Sequence, residues 1–178
     1  SALRSAIAWW QDRGWVTADP TARLRPRAAV PAARPPLTGA QAAELWRCGA
    51  GLREQALWHL LRDSGAAAPA VLALDACDLD LGRGRVRAPV RPPVSYGAAT
   101  ADLLGWLLAG RRHGPVFCTD RRASRGTGPA DVCPLTGRAR MSYRRAAEIL
   151  AGWTRPLDPA GRGWTLHQLR PVQERPAS

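Results

Sequence analysis

The sequence contains no lysine and no asparagine, and it has one methionine and one phenylalanine. All 26 basic residues are therefore arginines, set against 14 acidic residues, and the formal net charge is +12. Lysine and asparagine have AT-rich codons, so we attribute their absence to a GC-rich genome rather than to selection for arginine. The excess of positive charge still predicts an anionic partner. Arginine suits phosphate in particular, because its guanidinium can donate two parallel hydrogen bonds to the phosphate oxygens.

Long apolar runs are missing as well. No stretch of about 18 apolar residues occurs, so no membrane span is predicted, and the N-terminal residues lack the apolar core of a signal peptide. The four cysteines are far apart and form no C-x-x-C pair: Cys48, Cys77, Cys118 and Cys133. We therefore expect free thiols in a cytoplasmic protein, rather than a zinc site or a disulfide framework.

The first part of the chain divides by composition. Leu3 to Gly14 has the apolar spacing of a helix, and we interpret residues 1–20 as the end of a helical domain. Residues 21–36 mix arginine with proline, which predicts an extended linker. Its cations either follow a phosphate backbone or are simply solvated: Arg23, Arg25, Arg27 and Arg34.

Residues 37–170 carry the signals of an α+β domain that is mainly α-helical. Helices are predicted at Gly39–Cys48, capped by Thr38, and at Leu52–Ser64, Ala66–Leu74, Tyr96–Ala109 and Tyr143–Trp153. Asp78 to Val86 predicts a small antiparallel β-ribbon, and Arg87 to Pro93 an irregular edge strand. Asp120 to Leu135 is rich in arginine, glycine, serine and proline, and predicts a mobile loop.

Near the end, the stretch Gly163-Trp164-Thr165-Leu166-His167-Gln168-Leu169-Arg170 places a histidine three residues before an arginine. At the start of a helix capped by Thr165, His167 and Arg170 would share one face. An imidazole beside a fixed, planar cation suits a phosphate group. Alone, the spacing favours a solvated helix surface, and it is the rest of the chain that favours a phosphate site.

This order of elements resembles the catalytic domain of the tyrosine recombinases, the phage-integrase superfamily, and in particular integrase-like proteins of high-GC actinobacteria. The resemblance lies in Leu52–Leu57 through Leu72–Asp80, in Gly114–Asp120 and in Trp164–Arg170. It implies a partial catalytic domain at residues 37–170 that is missing its C-terminal helices. It also makes residues 1–20 the end of the family's core-binding domain, and leaves residues 171–178 as a tail unlike the family.

The resemblance implies a function as well. Tyrosine recombinases break and rejoin duplex DNA through a phosphotyrosyl intermediate, without a metal or nucleotide cofactor. The implied partner is duplex DNA, with no membrane and no small-molecule ligand. His167 and Arg170 match the family's catalytic His-x-x-Arg motif, and the expected contacts to the DNA backbone are Arg23, Arg25, Arg27, Arg34, Arg87, Arg91 and Arg170.

The sequence departs from the family at most catalytic positions. Ala67 stands where the first catalytic arginine is expected, and Ala70 where an acidic residue is usual. The ribbon lysine is absent, and Arg87 or Arg91 is a poor proton donor in its place. The nucleophilic tyrosine is expected beyond the last residue, because Tyr96 and Tyr143 occupy other positions. We therefore expect a chain that does not cleave DNA.

Three other interpretations are open. The first interpretation is a non-functional, pseudogene-type fragment. The second is an accessory module that pairs with an intact recombinase protomer. An unrelated arginine-rich enzyme using His59, His113 or His167 is the weakest, because His59 and His113 have no evident serine, cysteine or carboxylate partner.

Overall fold

A computed structural model of the chain describes residues 9–15, 34–87 and 94–171. The chain divides into two units, residues 1–33 and residues 34–178, and each is described by itself. No helix within the described ranges is both long and apolar enough to cross a membrane.

In the first unit, residues 9–12 are helical and a turn follows at Gly14, where φ is +70°. Trp9 and Trp15 pack edge to face with ring centroids 5.3 Å apart. The guanidinium of Arg13 lies 4.3 Å from the centre of the Trp9 ring. This cluster stabilises the turn through cation–π and aromatic contacts. The rest of the predicted helix, and the predicted linker as far as residue 33, lie outside the described residues.

The second unit begins with two helices at the predicted positions. Helix α1 (Gly39–Arg47) follows Thr38, whose hydroxyl accepts a hydrogen bond from Gln41 N while the Gln41 side chain accepts one from Thr38 N. Helix α2 (Leu52–Ser64) ends at Gly65, which adopts the left-handed conformation at φ +60°. These local signals fix both helix ends. The side chains that α2 buries are Ala56, Leu57, Trp58, Leu60 and Leu61.

Helix α3 (Ala68–Leu72) is shorter than the predicted span. Pro69 lies in its first turn, where a missing N–H interrupts no helical hydrogen bond. A 3-10 turn over Ala76–Asp78 then leads into the predicted ribbon of β1 (Leu79–Asp80) and β2 (Arg85–Val86). The two strands are antiparallel.

Most of the predicted third strand, residues 88–93, lies outside the described residues. Directly after them, Val94 O accepts a hydrogen bond from Val86 N at 2.9 Å, so the chain returns along β2. Helix α4 (Ala98–Leu108) follows, and Asp63 of α2 binds the start of this helix. Asp63 accepts hydrogen bonds from Gly97 N at 3.0 Å and from the Thr100 hydroxyl at 2.6 Å.

A second antiparallel ribbon flanks the segment expected to be a loop. Only residues 120–122 of that segment are strand, and most of the rest forms turns and irregular chain between the two strands. The ribbon consists of β3 (Cys118–Arg122) and β4 (Arg138–Arg140), which are antiparallel. The chain between the two strands contains a 3-10 turn at Pro129–Asp131. The hydrogen bonds that close this ribbon join residues distant in sequence, and solvent-exposed arginines give the strands no apolar alternation.

Helix α5 (Tyr143–Thr154) is capped by Ser142, whose hydroxyl accepts a hydrogen bond from Arg145 N at 3.2 Å. Its buried face meets the core that α2, α3 and α4 share. The largest fully buried side chains of this core are Trp58, Phe117, Leu45, Leu60, Leu61, Leu104, Leu150, Leu166 and Leu169.

Candidate nucleic-acid interface

The segment that carries His167 and Arg170 is a four-residue 3-10 turn, Leu166–Leu169, and not the predicted helix. Arg170 follows it with extended backbone angles of φ −69° and ψ +135°. A residue before proline is sterically driven away from helical angles, so Pro171 ends the turn. His167 is exposed and Arg170 is half-buried, and the shared helical face expected for the pair does not form.

Contacts with α5 fix the backbone of this segment. Gly163 has φ +78°, and a Cβ there would lie 2.3 Å from Ala151 O, so only glycine fits. Next to it, Trp164 N donates to the buried Thr154 hydroxyl at 2.7 Å. The buried Gln168 amide donates to Pro35 O, and Gln168 O accepts from Leu37 N. The segment is therefore held on two sides.

Arg170 connects the end of the chain to the turn after α2. Its Nε donates to Gly65 O at 2.7 Å across 105 residues of sequence. Within the described part of the chain, its two terminal nitrogens have no hydrogen-bond or ion-pair partner. A half-buried guanidinium that is anchored at Nε and open at both ends can present two donors to an anion.

Ala67 lies two residues from this anchor. It is exposed and forms the N-cap of α3, where it offers no side-chain hydrogen bond. The contact with Gly65 O therefore brings Arg170 to the turn that precedes Ala67, whose side chain is a methyl group. The half-buried Ala70 follows in α3 and carries no charge.

The other predicted DNA contacts are in varied surroundings. Arg34 donates from Nη1 to Gly163 O at 2.8 Å and lies 3.8 Å from Asp158, so internal contacts hold it against the His-x-x-Arg segment. Arg87 is exposed at the end of β2, 3.6 Å from Asp80. The four remaining positions, Arg23, Arg25, Arg27 and Arg91, lie outside the described residues.

Histidine and cysteine form no second site in the described chain. The His59 ring stacks on Trp46 at 3.9 Å, as a packing residue would. The cysteines are free thiols, and no group of three or more histidine, cysteine, aspartate or glutamate side chains could hold a metal ion among the described residues.

Two structural arginines were not evident from the sequence. Arg53 binds Asp120 at 2.7 Å and Cys118 O at 3.0 Å, and this hydrogen bonding lowers the pKa of Asp120. Arg140 binds Asp75 and Asp131, each at 2.7 Å. Because these partners are 9 to 67 residues away in sequence, no local pattern indicates them.

The fold is mixed α+β, mainly helical, with small antiparallel sheets. It is similar to the crystal structure of XerA recombinase with a TM-score of 0.58 and 18% sequence identity, over 95% of this chain and 56% of that chain. The chain thus spans just over half the length of XerA. No protein-family model matches the sequence, and no curated protein matches it.

Proposed function

We propose that this chain is a recombinase-like protein that binds duplex DNA through the sugar-phosphate backbone. The observation that supports this most is the position of Arg170, anchored at Gly65 with its terminal nitrogens open, in a domain with a recombinase fold. The net charge of +12 adds a long-range attraction for a polyanion. Among the recombinases, the sequence resembles the phage-integrase group of actinobacteria.

The test is fluorescence anisotropy of the purified chain with a labelled random-sequence duplex, across a salt series. Backbone binding releases counterions, so log K should fall linearly with log salt, by about 0.9 for each phosphate neutralised. A soluble, folded sample that shows no binding at low salt would contradict the proposal.

We also propose that this chain does not cleave DNA by the phosphotyrosyl route. Ala67 and Ala70 replace the charged groups expected near the phosphate, and losing one such donor alone costs roughly a hundred- to a thousand-fold in rate. Tyr96 is buried, donates to Arg85 O, and has its pKa raised to about 12 by burial, so its phenolate does not form readily.

Incubation with a nicked suicide duplex tests this directly. We expect no covalent protein–DNA adduct on a denaturing gel, with an active tyrosine recombinase and its own target duplex as positive control. An adduct, mapped by mass spectrometry to a tyrosine of this chain, would refute the proposal and leave DNA binding itself intact.

A further inference from the structure

The second ribbon carries two arginines in an arrangement that the free protein does not favour. In the register of β3 and β4, Arg122 lies directly opposite Arg138. Side chains at opposed positions of an antiparallel pair have Cβ atoms about 4.5–5.5 Å apart, and like charges there are destabilising. Both side chains are exposed.

The nearby acidic groups neutralise this pair only in part. Asp120 is bound by Arg53 at 2.7 Å, and Asp131 is bound by Arg140 at 2.7 Å. Arg138 is close enough to Asp120 to contribute to lowering its pKa, but it forms no ion pair with it within 4.0 Å. Throughout the described residues, neither Arg122 nor Arg138 has a side-chain hydrogen bond or an ion pair.

The backbone that presents these two arginines is fixed by hydrogen bonds. Ala123 N donates to Gly137 O at 2.8 Å, directly beside the arginine pair, and Cys133 N donates to Arg138 O at 2.8 Å. Two exposed arginines, Arg121 and Arg125, extend the same charge along the strand and the turn after it. The ribbon thus presents positive charge on an ordered backbone.

An anion bound between the two guanidinium groups would convert their repulsion into attraction. Each guanidinium offers a planar fork of donors that matches the oxygens of a phosphate. The further positive charge of Arg121 and Arg125 in the same ribbon favours a polyanion over a single carboxylate. We propose that the Arg122–Arg138 pair is a phosphate-binding site for the backbone of duplex DNA, a role that rests on the DNA binding proposed above.

The test compares two double variants of equal charge. R122Q/R138Q removes the opposed pair, whereas R47Q/R112Q removes two exposed arginines at the end of α1 and in the turn after α4. In the anisotropy assay, R122Q/R138Q should reduce the salt slope by about 1 to 2, since each phosphate contact contributes about 0.9. R47Q/R112Q should reduce it clearly less. Equal slopes for the two variants would overturn the site.

Thermal melts without DNA separate a binding role from a structural one. Because the opposed charges repel each other, R122Q/R138Q should melt at the same temperature as the unmodified chain or higher. R122E, which places a carboxylate opposite Arg138, should raise the melting temperature and weaken DNA binding. If R122Q/R138Q instead lowers the melting temperature, and R122E binds DNA as tightly as the unmodified chain, the proposal fails.

Inorganic tripolyphosphate separates this site from the wider proposal. If the unmodified chain binds duplex DNA and R122Q/R138Q leaves the salt slope unchanged, the ribbon site fails while the proposed function stands. If the unmodified chain does not bind duplex DNA, both DNA proposals fail. Tripolyphosphate that then stabilises the unmodified chain but not R122Q/R138Q would reassign the pair to free oligophosphates.

Discussion

The position of the His-x-x-Arg segment depends on single residues, and Gly163 is the clearest case. Its φ of +78° and the 2.3 Å approach that a Cβ would make to Ala151 O leave no room for a side chain. We expect G163A to destabilise the fold by about 1–3 kcal/mol or more, through backbone strain and overlap. Urea denaturation followed by circular dichroism measures the change.

A glycine of α5, the helix that Gly163 contacts, provides the control. Gly152 lies within α5, and a Cβ there meets no atom within 4 Å. G152A should stabilise the fold by about 0.5–1 kcal/mol, because alanine has less backbone entropy to lose in a helix. If both substitutions change stability in the same direction, Gly163 is not constrained as we describe.

His59 makes stability depend on pH. Burial, with the ring stacked on Trp46, lowers the pKa of His59 below its ordinary 6.5, and the charge of Asp63 only partly opposes this. The unfolded chain therefore binds a proton at a higher pH than the folded chain, so stability is complete above pH 6.5 and falls as the pH drops below it. We expect H59F, which keeps a stacking ring, to remove that part of the pH dependence.

Urea midpoints measured from pH 7.5 to about 5 test this sign. The difference in stability between the unmodified chain and H59F should change across this window and be constant above it. Parallel curves throughout would show that His59 titrates alike in the folded and unfolded chains.

At the scale of elements, Arg140 joins β4 to the end of α3. Its Nη1 donates to Leu72 O, Ala73 O and Leu74 O, at 3.2, 2.8 and 3.1 Å. Leu72 O and Ala73 O are carbonyls that the end of the helix leaves free, and Leu74 O also accepts from Val116 N. We expect R140K to destabilise the fold by about 1–3 kcal/mol, because an ammonium cannot reproduce the planar fork.

The matched substitution is R138K, two residues earlier on the same strand, where the side chain has no internal partner among the described residues. It should change stability by no more than about 0.5 kcal/mol. Both variants are compared by urea denaturation. Equal losses would mean that the strand needs arginine for another reason than these contacts.

Local signals explain which elements could be predicted. Thr38, Gly65 and Ser142 set helix ends through contacts within four residues, and the sequence places those ends correctly. The second ribbon depends on pairing between Arg122 and Arg138, and the ordering of Arg170 depends on Gly65, 105 residues away. Such contacts leave no periodic pattern in the sequence. The sequence therefore predicts the His-x-x-Arg motif, but neither the hydrogen bond of Arg170 to Gly65 nor the 3-10 geometry of the segment.

At the scale of the whole molecule, the fold joins two stretches from opposite ends of the second unit: the turn at Gly65–Ala67 and the segment that ends at Arg170. If this junction is a phosphate pocket, an arginine at position 67 should complete it. We expect A67R to strengthen duplex binding and to steepen the salt slope by about 0.9, the contribution of one further phosphate contact. It should give no covalent adduct, because A67R supplies no nucleophile.

The control for A67R is A43R, which adds the same charge at an exposed position of α1. A charge far from bound DNA gives only a long-range attraction, which salt screens beyond about 10 Å at 0.1 M. At and above that salt concentration, A67R should therefore bind more tightly than A43R in the same anisotropy assay. Equal affinities and slopes would show that position 67 does not face the DNA, and that Arg170 is a structural residue anchored to Gly65.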